Sequence, residues 1–420
     1  MFSVFRKILA LILCVGLLYA LSVYGVSDVN SGAVYRGKEQ PLSHVTTYKG
    51  QAQLLSPGAL LIKSQDSLLD SSVGNAEQLA LQALKQNPSS GRATSLLLSL
   101  YDTSGHEKKA DEIAELSSRL WPSHTYTRAR LADYWLKRQR IDKLLDEWNV
   151  LLIRNPAQRK ALYPFLTNII KDKEASFLMR PFLDYPPAWW DSYFVYLSKE
   201  LSAAQLREVY NVRAESQDGV SEVERRYYVS SLLKDKNWIA AREEWYLGLS
   251  ESQKRHDGLV FDGGFETSIL NQGFGWQYNK RSRNPRIKTD ITYGIKGRKA
   301  LHVSLNKKDR INFKHVSQRL MLTPGLYRLS MRYRTDTLKT SEGLTWRLRC
   351  VEGGNQILGE SDNMLGSNPW STLVVDFNVP STCKVQMLRL EAASRFKHEW
   401  FFDGSLWFDE INITKGLGEG

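Results

Sequence analysis

Two runs of alternating arginines are the first groups in this sequence whose spacing could do chemistry. Along 326–335, Arg328, Ser330, Arg332 and Arg334 share one face of a strand, and Tyr327, Leu329, Met331 and Tyr333 share the other. The run 344–351 repeats the arrangement, with Thr345, Arg347 and Arg349 opposite Leu344, Trp346, Leu348 and Cys350. If these strands pair, five arginines line one sheet face, a density that the acids within the two runs do not neutralise. Guanidinium forks match carboxylate and sulfate geometry through paired hydrogen bonds, so an acidic polysaccharide is the ligand such a face would take, and a merely solvated sheet face is the plainer reading.

Catalysis is not expected. The sequence holds no GxSxG, HExxH, Walker or GxGxxG motif, and its 7 His are scattered singly. The 3 Cys form neither a CxxC nor a His/Cys cluster. Cys350 and Cys383 fall in two separate strand-like runs, where one bridge in an oxidising compartment and two unpaired core thiols are both open.

The elements that must position the arginines fall in three stretches. From Gly258 the hydrophobic period is 2, with strands expected at 299–305, 310–313, 318–322, 325–335, 344–351, 372–379, 385–392 and 405–413. So many short strands between turns such as Pro324-Gly325 and Gly353-Gly354-Asn355 imply a β-sandwich or jelly roll over 258–415. The same stretch, to the end of the chain, carries 24 Lys and Arg against 16 acids, so most of the net charge of +12 belongs there. That field favours anionic partners in general.

Before it, 74–252 reads as helical. Ala76, Leu79, Ala80, Ala83 and Leu84 recur at helical spacing and stop at Asn87-Pro88. The ending returns at Trp121-Pro122 and Asn155-Pro156, so three prolines stand 34 residues apart. Gly105 sits at the turn within a unit, Ala110 and Ala132 at close helix approaches, and Trp135 and Trp148 at bulky interior positions. This segment resembles a tetratricopeptide array, and the resemblance implies a surface for a protein partner. Pro181, Pro186 and Pro187 interrupt the register, and a last helical pair is expected at 222–234 and 237–249.

At the amino terminus a basic head, 1–7, precedes 19 uncharged apolar residues, 8–26, which are long enough for a membrane-spanning helix. Val23-Tyr24-Gly25 leaves a cleaved signal peptide as the alternative. Residues 27–73 read as a linker rich in Ser, Gly and Gln. With Arg6 and Lys7 retained inside, the expected location is the bacterial inner membrane, single-pass, with the bulk of the chain periplasmic and no nucleic acid as partner.

The β region resembles the jelly-roll carbohydrate-binding modules that open on Asn/Asp-Gly-x-Phe-Glu and close on an aromatic-Asp-Asp/Glu-hydrophobic strand. The opening here is Asp262-Gly263-Gly264-Phe265-Glu266 followed by Gly275-Trp276, and the close is Trp407-Phe408-Asp409-Glu410-Ile411. Between them stand Leu322-Thr323-Pro324-Gly325-Leu326-Tyr327 and Trp370. The resemblance implies aromatic rings for sugar stacking, for which Trp276, Tyr278 and Trp400 are the candidates, and a structural calcium held by Glu266 and Asp409; turn capping or pairing with Arg is the other reading of these acids. Anchor, repeats and module together imply a non-catalytic scaffold of exopolysaccharide or cell-surface glycan assembly. An envelope protein–protein scaffold without glycan binding is the alternative.

Overall fold

The computed structural model describes residues 60, 61, 63–65, 67, 73–278, 284–308, 310–352 and 354–416. The expected head, the membrane segment 8–26 and nearly all of the linker 27–73 lie outside these residues. Among the described residues no helix is long and apolar enough to cross a membrane. The chain divides into two compact units, one running to Glu200 with Ser216–Asp218, the other comprising Leu201–Glu215 and Gly219 onward. The helices from Ala203 on therefore group with the sandwich, whereas the sequence places 74–252 in one helical domain.

In the first unit, helix Val73–Gln86 is followed by Gly91–Thr103, Glu107–Leu120, Thr125–Lys137 and Ile141–Arg154. The prolines at 88, 122 and 156 follow the helix ends at Gln86, Leu120 and Arg154, as expected from their missing N–H. Gly105 turns the chain between two helices at φ +71°, and 34 residues later Gln139 makes the same turn at φ +59°. The repeat therefore persists in backbone shape where the residue type has drifted. Trp121 donates through Nε1 to the Ser89 carbonyl, and a Cβ on Gly91 would stand 2.8 Å from its ring. Ala110 is fully buried and Ala132 is 4% exposed, at the close approaches expected of them. After Pro156 the regular order breaks: helices Arg159–Lys171 and Trp190–Glu200 are separated by a 3₁₀ turn and the short helix Arg180–Asp184, and Trp189, Trp190 and Tyr193 are buried there.

The second unit opens with helices Ala203–Ala214, Glu222–Lys234, Trp238–Leu247 and Glu251–Lys254. Trp245 of the third meets Phe261 edge-on at 5.0 Å, and Trp238 donates through Nε1 to Glu352 at 2.7 Å. Gly273, at φ +57°, lies so close to Trp245 that a Cβ would sit 2.1 Å from the ring, so a side chain there would unseat this helix.

The sandwich consists of β1 Gln277–Tyr278, β2 Arg286–Ile291, β3 Lys299–Leu305, β4 Val316–Leu320, β5 Gly325–Lys339, β6 Leu344–Cys350, β7 Ile357–Glu360, β8 Gly366–Val379, β9 Gln386–Ala392 and β10 Asp403–Lys415. One sheet has the order β1-β4-β9-β6-β7 and the other β2-β3-β10-β5-β8, every neighbouring pair antiparallel. The core between them takes Tyr327, Leu329 and Met331 from β5, and Leu344, Trp346, Leu348 and Cys350 from β6, the apolar faces read from alternation. Residues 310–313 form no strand. Ile311 and Phe313 are buried as their pattern suggests, but their backbone bonds run to the Trp400 carbonyl and the Ala392 amide instead of a ladder. Asn368-Pro369, a pair of turn-forming residue types, lies inside β8, an edge strand where proline is tolerated.

The Asp262 carboxylate accepts the amides of Glu266 and Thr267, each at 3.0 Å, and so shapes the opening turn. The Gly263 carbonyl accepts the Ile411 amide of β10 at 2.9 Å, which joins the beginning of the module to its end.

Cys350 and Cys383, 33 positions apart in sequence, form a disulfide with Cα atoms 5.7 Å apart. It resolves the two readings left open by the sequence. Replacing both by alanine is expected to lower stability by about 2–4 kcal/mol, because the unfolded chain regains its loop entropy. A urea denaturation midpoint equal to that of the native chain would refute this.

Candidate functional site

The five arginines do not share a face. β5 belongs to the β2-β3-β10-β5-β8 sheet and β6 to the other, so Arg328, Arg332 and Arg334 lie on one outer surface and Arg347 and Arg349 on the opposite one. Arg328 is neutralised by a fork to Asp376 on β8, at 2.7 and 2.8 Å. Arg332 and Arg334 have no carboxylate partner among the described residues. The Arg334 guanidinium stands 4.0 Å from the Trp407 ring centre and 5.8 Å from Trp370, and Arg332 5.9 Å from Trp370. His302 stacks on Trp407 at 4.4 Å, completing a ladder of rings and guanidinium groups.

On the other sheet the acids missing from β6 come from neighbouring strands. Arg347 donates from Nε and Nη2 to Glu360 of β7 at 2.9 and 2.7 Å, and from Nη1 to Glu391 of β9 at 3.1 Å. Arg349 forks onto Glu391 at 3.0 and 2.9 Å, and Arg389 reaches the same carboxylate. The expectation that these arginines lack acid neighbours is corrected: the neutralising carboxylates are far in sequence and adjacent in register. Burial raises the Glu391 carboxyl, but hydrogen bonds from Arg349, Arg389 and Arg347 outweigh it and hold the pKa below its ordinary value.

These groups floor a groove of about 570 Å³ that Lys314 and Arg395 also line, so five cations face two acids. Trp400 stands half-buried at its edge, its Nε1 donating to the Ser394 carbonyl at 3.3 Å. Trp276 is not a ligand platform. It is 2% exposed, stacks against Phe265 in the core and donates to the Asp262 carbonyl, so its aromatic bulk serves packing. Tyr278 packs partly buried against the same core.

Of the two expected calcium ligands, Glu266 accepts the amides of Arg298 and Lys299 at 2.7 and 3.0 Å. Asp409 is fully buried, and neither of its oxygens has a well-formed hydrogen bond. Burial pushes its carboxyl up to about 7; the charges of Glu410 and Glu266 add to this, and the amides of Glu410 and Lys296 relieve it in part. A break in register between Asp409 and Asn412, with Glu410 at φ +52°, turns this side chain inward directly after inward-facing Phe408. Two bare carboxylate oxygens with a second acid close by fit a hard dication. Among the described residues no three acid, His or Cys side chains converge, so main-chain oxygens would complete the shell.

Fold and surface thus define a helical-repeat region and, C-terminal to it, an antiparallel β-sandwich with an arginine-rich groove on one face. No protein-family model matches the chain, and no curated protein matches it. Among solved structures, one described as "CBM4 structure and function" is 13% identical and aligns with 37% of this chain and 99% of its own, at a TM-score of 0.28. The C-terminal family 22 carbohydrate binding module of Clostridium thermocellum Xyn10B is 16% identical over 38% of this chain and 96% of its own, at a TM-score of 0.26. Pseudomonas aeruginosa pilF is 16% identical over 47% of this chain and 78% of its own, at a TM-score of 0.22.

Proposed function

We propose that the chain is a membrane-anchored, non-catalytic protein of the bacterial envelope whose sandwich binds an acidic polysaccharide and whose helical repeats bind a protein of glycan assembly. The apolar segment 8–26 supports the anchor and a periplasmic location for the rest. The observation that carries the ligand is the groove, where Arg347, Arg349 and Arg389 share Glu391 and Glu360 and keep donors and net positive charge for a bound carboxylate. Calcium at Asp409 and Glu266 would act as a structural tie between the opening turn and β10.

Arg347→Gln tests the reading with little risk to the fold, because Glu391 keeps Arg349 and Arg389. Its affinity for polygalacturonate, followed by retardation in an affinity gel, is expected to fall about tenfold, the equivalent of one charge-assisted bond. Raised salt should weaken what remains. Equal retardation of the native and variant chains would remove the groove from the account, and loss in Arg334→Gln alone would move the ligand to the Trp370–Trp407 ladder. Neutralisation of the groove arginines by Glu360 and Glu391 favours a second reading, an interaction scaffold without glycan binding. That reading requires no retardation by any polysaccharide.

A further inference from the structure

Arg319 is a charged side chain with no counter-ion among the described residues. It projects from β4 on the groove side of its sheet, opposite the inward-facing Gln318 and Leu320, and makes no ion pair or hydrogen bond among the described residues. Burial pulls its guanidinium below the ordinary arginine value, and no acid among the described residues offsets this. It lines a pocket of about 480 Å³ between β4 and helix Glu222–Lys234. That helix contributes Arg226 and Lys234, and the lining includes no acid. Arg226 lies 5.3 Å from the Tyr227 ring centre, and neither it nor Lys234 has a carboxylate partner among the described residues. The amide oxygen of Gln272, also in the lining, is buried without a donor. Three cations around one concavity, one of them half-buried, cost free energy that an anion would offset.

We infer that this pocket is an anion subsite for a carboxylate or sulfate group, held by Arg319, Arg226 and Lys234. Register joins it to the groove. Ser317 of β4 stands opposite Arg389 of β9, so Arg319, two residues on, is a diagonal neighbour of Arg389 at about 7–8 Å. An acidic chain lying on Arg389 and Arg347 would meet Arg319 next, with the helix closing that end. This extension to a polymer rests on the proposed groove binding; the anion subsite itself does not.

The test uses the full-length chain in detergent at low ionic strength, with three probes: sodium sulfate, polygalacturonate and its methyl ester. Millimolar sulfate, too dilute to act by exclusion from the surface, is expected to raise the thermal midpoint. Arg319→Gln should abolish that rise and bind polygalacturonate at least tenfold more weakly, while its ligand-free midpoint stays level or increases because a half-buried charge is gone. Methyl ester binding should be weak in both proteins. Arg226→Gln, at an exposed position, gives an independent reading and should halve the sulfate effect or more. A sulfate response unchanged in both variants would overturn the subsite, as would a fall in the ligand-free midpoint of Arg319→Gln. A sulfate response lost with polygalacturonate affinity intact would confine the subsite to small anions and overturn the polymer extension. Failure of the groove reading looks different: Arg347→Gln would leave polygalacturonate affinity untouched while the sulfate response still depended on Arg319.

Discussion

At pH 8 in chelator, the chain is expected to be less stable than its Asp409→Asn variant by up to roughly 4 kcal/mol, and the gap should close at pH 4. The folded-state carboxyl is raised from 3.8 to about 7, so the folded state holds this proton where the unfolded chain has released it. Stability from this group is therefore greatest below about pH 4, is lost progressively between about 4 and 7, and stays low above 7. The proposed calcium and the proton would compete for the same two carboxylate oxygens. Millimolar calcium should raise the thermal midpoint of the native chain by several degrees at pH 8, far less at pH 5, and not at all in Asp409→Asn. A native chain indifferent to calcium at pH 8, with an Asp409→Asn variant of unchanged pH dependence, would leave Asp409 neither ionised nor a ligand.

Glu224→Ala is expected to cost about 3–5 kcal/mol, measured as a shift in the urea midpoint. Arg213 and Glu224 are 1% and 0% exposed, and Nε donates to the carboxylate at 2.9 Å. The other oxygen of Glu224 accepts the Ser221 amide at 2.8 Å, one half of the box that starts helix Glu222–Lys234. Truncation removes the cap and leaves a buried guanidinium without its carboxylate, beside the Gly219 carbonyl that it also donates to. The double change Arg213→Met with Glu224→Leu should recover most of the loss, since a buried pair offsets little more than its own desolvation. A single variant within about 1 kcal/mol of the native chain would mean that water reaches the pair.

Periodicity carried most of the secondary structure. The prolines at 88, 122 and 156 end helices, and β3 occupies the predicted 299–305. Residues 286–291 gave no such signal because Arg286, Lys288 and Asp290 alternate with only two aliphatic residues and a threonine, and only Ile287 is buried. Strand partners were not legible. Alternation reports which face of a strand is apolar, not which strand lies beside it, and the short connection from β5 to β6 invites a hairpin that the fold does not make. Glu391 and Glu360 were therefore missed as partners of Arg347 and Arg349, although the alternation of Leu388, Arg389, Leu390 and Glu391 was visible. Asp409 was found through its motif, but its burial depends on an irregularity of β10 that breaks the period of two. Arg319 sat in a predicted strand and Arg226 in a predicted helix, and no local signal brings the two together.

The middle of the β2-β3-β10-β5-β8 sheet is the last of the ten strands to leave the ribosome. Until β10 arrives, β3 and β5 lack the neighbour that joins them, and each exposes a row of unpaired amides and carbonyls. The nascent module cannot mature strand by strand during synthesis and must wait, open to proteases and to other chains, until its final segment emerges. A stop codon before residue 403 should therefore yield a product that is degraded rather than a shortened module.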